Sequence, residues 1–360
     1  MPESSVLELV ENMALAGSRS ATRASPGRRL RTICPPPTVI EPRRAGVALH
    51  NVCAMHVLER VAASFNQANL PLLLLKGAAL NLTLYERPDE RPMTDIDVLV
   101  RREQVDQACV LLEQSGCRRG AALVRADFFP RYHYETEYFA GQIYPIKIDL
   151  HVRPFRPLRY GRLLPPDAFW TDARPVRLGA ARVLVPCPED MLIHLAVHVA
   201  VHGSSRDAWL TDIERWVEVY GEQMDWNRLL KKVEAWHLAL PVREALTYVA
   251  WERGVAVPAA VVERLQHMPA NWRDRLTLWQ APRDLNHPVA HVLVDLVGAP
   301  GYAWKCGYLL ALLFPGRAHM EQWYPRRHRL WLPCAQLVRW LWPLLRRTRA
   351  GSRAANARTG

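Results

Sequence analysis

Residues Leu72–Val100 read LLLLKGAALNLTLYERPDERPMTDIDVLV. Four leucines closed by Lys76-Gly77 fit a buried strand that turns into a helix. A short helix-like segment and a charged loop follow. The stretch ends in Thr94-Asp95-Ile96-Asp97-Val98-Leu99-Val100. Side chains alternate faces along a strand, so Asp95 and Asp97 are expected on one face and Ile96 and Val98 on the other. Two carboxylates so placed are ~6–7 Å apart at the backbone. That spacing suits divalent metal, and two such ions about 3.5–4 Å apart are the usual clamp for phosphoryl and nucleotidyl transfer.

Downstream, Tyr144–Val152 reads YPIKIDLHV, the cleanest period-two alternation in the chain. Ile146, Ile148, Leu150 and Val152 fall on one face, and Lys147, Asp149, His151 and Arg153 on the other. If this strand lies beside the Asp95–Asp97 strand, Asp149 joins the same cluster as a third carboxylate.

The segments KGAAL, RPMTDIDVLV and KIDLHVRP together resemble the uncharacterised nucleotidyltransferase family of the polymerase-beta-like superfamily, from about Val47 to Asp212. The resemblance implies an α/β (α+β) fold with a mixed sheet, and it makes Asp95, Asp97 and Asp149 the catalytic residues and the ligands of Mg²⁺ (or Mn²⁺). It implies a nucleoside triphosphate such as ATP as donor. The wider superfamily usually has Gly-Ser at the turn after the first strand, whereas this chain has Lys76-Gly77-Ala78. Lysine holds phosphate as a point charge, so Lys76 and Gly77 are the expected donor-phosphate contacts. The plainer reading of Lys76 is a strand-end cation reaching solvent. Arg91 is a second candidate for phosphate, through a two-pronged contact. The plainer reading is one loop arginine among many.

Around this core, Val47–Phe65 repeats apolar residues at helical spacing, and Arg102–Ser115 reads as a helix stopped by Gly116. Tyr132–Phe139 reads as a strand that forms a hairpin with the Asp149 strand through Gly141-Gln142. Arg174–Leu178 and Arg182–Val185 form a second small hairpin about Gly179. Pro186-Cys187-Pro188 is the expected domain boundary, because Pro188, Glu189 and Asp190 make a good helix start. Beyond it helical patterns recur near 189–202, 208–220, 226–238, 240–252, 258–267, 288–297 and 302–314. The expected organisation is a flexible leader (1–45, with one helical turn near Val6–Met13), a nucleotidyltransferase-like core (46–186), a helical domain (187–345) and a basic disordered tail (346–360).

His194, His198 and His202 share one helix face at i, i+4, i+8. Two of them have zinc-compatible spacing, but no acid or thiol follows at a familiar ligand spacing. The stripe is expected to face the cleft between domains, with His198 near the nucleotide or acceptor; satisfied interface histidines are the plainer reading. His151 shares a face with Asp149 and reads equally as a solvated strand end. Asp212 is expected to pair with Arg206 or Arg215.

The 360-residue chain carries a net charge of +12, and residues 317–360 hold ten arginines, no lysine and one acid, Glu321, so most of the excess is C-terminal. That end, with Trp323, Trp331, Trp340 and Trp342, offers weak peripheral-membrane or nucleic-acid contact, though aromatics at helical spacing are more often core. No apolar run is long enough to cross a bilayer. The odd count of seven cysteines without a CxxC suggests reduced thiols and a cytoplasmic setting. No Walker loop, GxSxG elbow or zinc knuckle occurs.

The expected activity is metal-dependent transfer of a nucleoside monophosphate from an NTP to a hydroxyl or similar acceptor, releasing pyrophosphate. The acceptor (small molecule, peptide or protein, or RNA) is left open. Two alternatives are a catalytically inactive binding or tailoring partner with this fold, motivated by the absent Gly-Ser, and a toxin-like RNA-modifying nucleotidyltransferase.

Overall fold

Seven strands form one mixed sheet in the order β3-β4-β5-β2-β1-β7-β6. The computed structural model describes residues 42–120, 128–202, 207–280, 288–299, 301–316 and 319–320. The leader, the helical turn near Val6–Met13, the C-terminal tryptophans and the basic tail lie outside these residues.

Helix α1 (Pro42–Gln67) extends past both ends of the expected helix and buries Ala54, Leu58, Val61, Ala62 and Phe65 along one face. The apolar run yields only a two-residue strand, β1 (Leu73–Leu74): both residues pair antiparallel with β2 (Ile96–Leu99), and Leu73 pairs parallel with β7 (Ala181–Val185). Helix α2 (Lys76–Thr83) starts at once. The charged loop that follows is pinned to α1 by Asn51, whose Nδ2 donates to the carbonyls of Pro88 (2.8 Å) and Arg91 (2.7 Å), and whose Oδ1 accepts from Met93 N (3.2 Å). That clamp fixes the entry into β2. The expected strand from Thr94 is shorter than the alternation suggests, and Asp95 lies just before it.

A 3₁₀ turn (Arg102–Gln104) leads into α3 (Val105–Gln114), which ends at Gly116 with φ +80°, a left-handed conformation that suits glycine. Strand β3 (Cys117–Arg119), too short to show a pattern in the sequence, forms the sheet edge. After α4 (Phe128–Tyr132) comes the expected hairpin of β4 (Glu135–Ala140) and β5 (Ile146–His151), turning at Gly141 with φ +86°. Strand β5 then runs parallel to β2, in register Ile96↔Ile148, Asp97↔Asp149, Val98↔Leu150 and Leu99↔His151. Helix α5 (Leu158–Leu163) follows, and β6 (Arg174–Leu178) pairs with β7 about Gly179. This second hairpin joins the main sheet through β7.

From Pro188 the described chain is helical: α6 (Pro188–His202), α7 (Asp207–Tyr220), α8 (Trp226–Ala235), α9 (Ala239–Glu252), α10 (Ala259–His267), α11 (Trp272–Gln280), α12 (Pro288–Gly298) and α13 (Tyr302–Leu313). Helix α8 is capped by Asp225, which accepts from Arg228 N at 2.9 Å, and ends where His237 takes φ +56°. The principal core runs without a break from Ala54 to Met268, so Ile96, Val98, Ile148 and Leu150 belong to one apolar body with Leu192, Ile193, Ala196 and Val197 of α6. A smaller core joins Phe128 and Tyr132 of α4 to Val292, Tyr308, Ala311 and Leu312. Among the described residues no helix is long and apolar enough to cross a membrane.

Candidate active site

Strands β2 and β5 lie at the middle of the sheet, and their parallel register sets Asp97 directly beside Asp149. Neighbouring strands are ~4.8 Å apart, so the two carboxylates rise from one face. Antiparallel β4 adds a third row, with Glu137 opposite Asp149 and Glu135 opposite His151. Four acids and a histidine therefore share three adjacent strands.

Asp97 is 1% exposed. Its Oδ1 accepts from Lys76 Nζ at 2.6 Å and from His151 Nε2 at 2.8 Å. Burial alone would push the Asp97 carboxyl up. The ammonium and the imidazole more than reverse that and hold it well below the usual carboxylate range. Lys76 follows β1 directly, and Leu75 N donates to the Asp97 carbonyl at 3.0 Å, which brings the lysine to the acid. Lys76 has φ +44°, a conformation that non-glycine residues seldom adopt and that clusters at functional sites. Burial works against its charge, but Asp97, then Glu135, raise its pKa.

Asp149 is buried and differently placed. Its Oδ2 accepts from Lys147 Nζ at 2.9 Å, while Oδ1 is buried with no hydrogen-bond partner. Burial, then the charges of Glu135 and Asp97, push its carboxyl up to about 7 despite Lys147. Asp95 is half-buried and accepts from Thr94 Oγ1 at 3.1 Å; burial and the nearby Asp97 charge raise its pKa. The Asp97 charge thus acts on both Asp95 and Asp149. A different trio, Asp97, Glu135 and His151, brings its ligand atoms within 4.8 Å of one another. A buried carboxylate oxygen without a partner and converging oxygen and imidazole donors fit a divalent cation.

Glu135 was missed in the sequence. Its signal lay in the hairpin, but the turn length decides the partner: a two-residue turn at Gly141-Gln142 would set Glu135 opposite Ile148, whereas the longer connection, with Ala140 paired to Ile146, sets it opposite His151. His151 itself is 1% exposed, which corrects the reading of a solvated strand end.

Arg91 is buried and faces helix α7. Nε and Nη2 grip both oxygens of Asp212 at 2.9–3.2 Å, and Nη1 donates to the Pro92 carbonyl at 3.1 Å. Asp212 also accepts from Tyr85 Oη at 2.7 Å. The expected partners of Asp212 are corrected accordingly: Arg215 lies over the Tyr85 ring instead, and Arg206 is outside the described residues. Arg91 Nη1 would clash with a Cβ at Gly77, and Met93 Cγ would lie 2.9 Å from it, so this close approach needs glycine. An open cleft of about 440 Å³ lies on the Arg91 side, lined by Arg44, Tyr85, Arg87, Thr211 and Arg215 among others; the three aspartates do not line it.

The histidine stripe divides. His194 is fully buried, stacked on Phe155, with both ring nitrogens unpartnered. Burial, then the Lys76 charge, push its pKa down to about 3. His198 packs its ring 4.5 Å from those of His202 and Trp209, and burial, then Lys76, lower it well below its ordinary value. Both therefore lie within electrostatic reach of Lys76 and Asp97.

A second cluster, Asp172, Cys187 and Asp190, already holds a cation of its own. Lys232 Nζ lies 2.8 Å from Asp172 Oδ2, 2.6 Å from Asp190 Oδ1 and 3.7 Å from Cys187 Sγ, tying α8 to the start of α6.

The sequence profile of a family described as uncharacterised nucleotidyltransferase matches residues 30–252. No curated protein matches the chain. Similar solved structures include a crystal structure of ANT(2″)-Ia in complex with adenylyl-2″-tobramycin, at 15% identity and TM-score 0.38, covering 51% of this chain and 97% of that one. A solution structure of ANT(2″)-Ia, described as an antibiotic-resistance factor, gives 15% identity and TM-score 0.37 over 56% and 99% of the two chains. An antigenic nucleotidyltransferase-like protein from Paracoccidioides brasiliensis gives 12% identity and TM-score 0.37 over 61% and 94%. At these TM-scores the likenesses carry no argument about substrate.

Proposed function

The chain belongs to the uncharacterised nucleotidyltransferase family, and from that membership we propose that it transfers a nucleoside monophosphate from an NTP to an acceptor hydroxyl, releasing pyrophosphate. The observation that carries the reading is the in-register pair Asp97 and Asp149 at the middle of the sheet, with Lys76 2.6 Å from Asp97 at a strand-to-helix turn.

Asp95, Asp97 and Asp149 would hold Mg²⁺ or Mn²⁺, which when bound supplies Lewis-acid stabilisation of phosphoryl oxygens. Lys76 has a side chain 22% exposed, against 1% for Asp97, so it can leave the acid and offset charge on the donor's phosphates. Gly77, in the first turn of α2, would meet the donor's phosphates through its backbone N–H. Asp149, raised to about 7, suits acceptance of the hydroxyl proton as the oxygen attacks the α-phosphorus. The bond to the bridging oxygen breaks and the electron pair leaves with pyrophosphate. His198 lines the helical side of this region. Arg91, committed to Asp212, would position the loop before β2 instead of gripping phosphate. The described cysteines 53, 109, 117, 187 and 306 are free thiols, which supports a reducing, cytoplasmic setting.

One observation favours a second reading, a binding partner with a silent core: the Lys76 ammonium already neutralises Asp97. The experiment incubates the protein with each NTP and Mg²⁺ across candidate acceptors and measures pyrophosphate. Asp97→Asn should lower the rate by ~10³-fold or more. Transfer unaffected by that substitution would sink the assignment. A protein that shows no Mg²⁺-dependent change in NTP binding would support the silent core.

A further inference from the structure

We propose that Glu135 and His151 join Asp97 as direct ligands of a divalent cation, making a mixed nitrogen–oxygen site that favours first-row transition ions such as Mn²⁺ over Mg²⁺. This rests on the nucleotidyl-transfer reading only for its purpose, not for its geometry.

Three strands deliver the donors. Asp97 comes from β2, His151 from β5 and Glu135 from β4, and the register pairs Glu135 directly with His151. His151 Nε2 lies 2.8 Å from Asp97 Oδ1 and 3.4 Å from Glu135 Oε2, and all three donor atoms fall within 4.8 Å of one another. Both His151 distances are short enough for one ion ~2.0–2.2 Å from its nitrogen to reach either carboxylate. His151 and Asp97 are each 1% exposed, so both are held rigidly. Independently, the adjacent Asp149 keeps a buried oxygen with no partner on the same sheet face.

This trio lies one residue pair further along β5 than Asp149. Asp97 therefore belongs both to the Asp95–Asp97–Asp149 group and to the new trio, and is placed to bridge them. The imidazole decides the selectivity. Magnesium prefers an all-oxygen shell that keeps its waters, whereas imidazole suits later first-row ions. Lys76 holds the same Asp97 oxygen at 2.6 Å, and its partly exposed side chain is the member free to yield that place.

The test uses the full-length protein and Mn²⁺ alone, with no nucleotide. Calorimetric titration compares Mn²⁺ with Mg²⁺, and pulsed electron paramagnetic resonance reads the bound Mn²⁺ for histidine-nitrogen coupling. Tighter binding of Mn²⁺ than Mg²⁺, with a nitrogen coupling that disappears in His151→Gln, is the expected result. Glu135→Gln, at a half-buried position, should weaken Mn²⁺ binding by ~10-fold or more while retaining the nitrogen coupling; it serves even where His151→Gln does not fold. Bound Mn²⁺ without nitrogen coupling, coupling that survives His151→Gln, or no Mn²⁺ binding at all would each overturn the proposal. The transfer reading fails separately: nitrogen-coupled Mn²⁺ without any pyrophosphate release keeps this site and removes that function. Mg²⁺-supported transfer without nitrogen coupling does the reverse.

Discussion

Asp97 Oδ1 accepts from both Lys76 and His151, so removing the carboxylate leaves a buried imidazole and a partly exposed ammonium unmatched. The sequence alone suggests that alanine here would spare the fold. The pairing shows why the isosteric asparagine is the sounder probe: stripping one partner from a buried pair typically costs about 3–5 kcal/mol. His194 makes the opposite case, a polar group with nothing to pair with. Its folded pKa is about 3, whereas an unfolded histidine titrates near ~6.5. As pH falls, the unfolded chain takes up the proton first. Stability is therefore intact above ~6.5 and is lost progressively between there and about 3, at ~1.4 kcal/mol per pH unit. Urea unfolding at about pH 7.5 and about pH 5 should show His194→Leu losing about 2 kcal/mol less than the parent across that interval. Equal losses would mean that His194 is not the neutral buried group described. The i, i+4, i+8 spacing was visible in the sequence, but not that its first member would be sealed beneath Phe155 and Phe169.

Elements with a strong period were legible. Strand β5 alternates over nine residues around Asp149, and its hairpin with β4 is marked by Gly141, so both could be read directly. Strand β3 has three residues and no period. Helix α11 (Trp272–Gln280) carries Trp272, Leu276 and Trp279 at i, i+4, i+7, but it buries Asp274 and Thr277 and leaves both tryptophans exposed; it was missed. Two pairings around the site link residues far apart in the chain: His151 with Asp97, and Arg91 with Asp212. Charge alone does not tell which of many arginines finds which acid. The last pair matters for element placement, because it ties the loop before β2 to α7, with Tyr85 as a third member. Asp212→Asn should therefore lower stability by about 3 kcal/mol, read as a drop in thermal midpoint, by leaving the Arg91 guanidinium buried and poorly matched. Arg91→Met combined with Asp212→Leu should recover most of that loss, since apolar replacement of both partners is often neutral. A double variant no better than the single one would show that the pair specifies the loop conformation and does not merely satisfy buried charge.

At the scale of the molecule, strand β7 ends at Val185 and helix α6 begins at Pro188, and the strands and helices on the two sides share one apolar core. Leu192, Ile193, Ala196 and Val197 of α6 have no measurable exposure and sit in one core with Leu73, Val98 and Leu150. Polar links follow the same path. Tyr220 Oη donates to the Thr83 carbonyl at 2.8 Å, and Lys232 Nζ to Asp172 at 2.8 Å. Removing everything after Pro186 would expose the apolar faces that α6 covers, at roughly 25 cal/mol per Å² of newly wetted surface. A folded domain is stable by only ~5–15 kcal/mol, and uncovering four or five aliphatic side chains at ~1.5–3 kcal/mol each consumes a margin of that size. It would also strip Arg91 of Asp212, at about 3 kcal/mol more. Residues 42–186 expressed alone should therefore give an aggregated or molten product, without dispersed amide resonances and without a cooperative thermal transition. Residues 42–320, which retain the shared core, should melt in one cooperative step. A well-dispersed spectrum from the short fragment would show that the sheet carries its own stability and that the helices only roof the site.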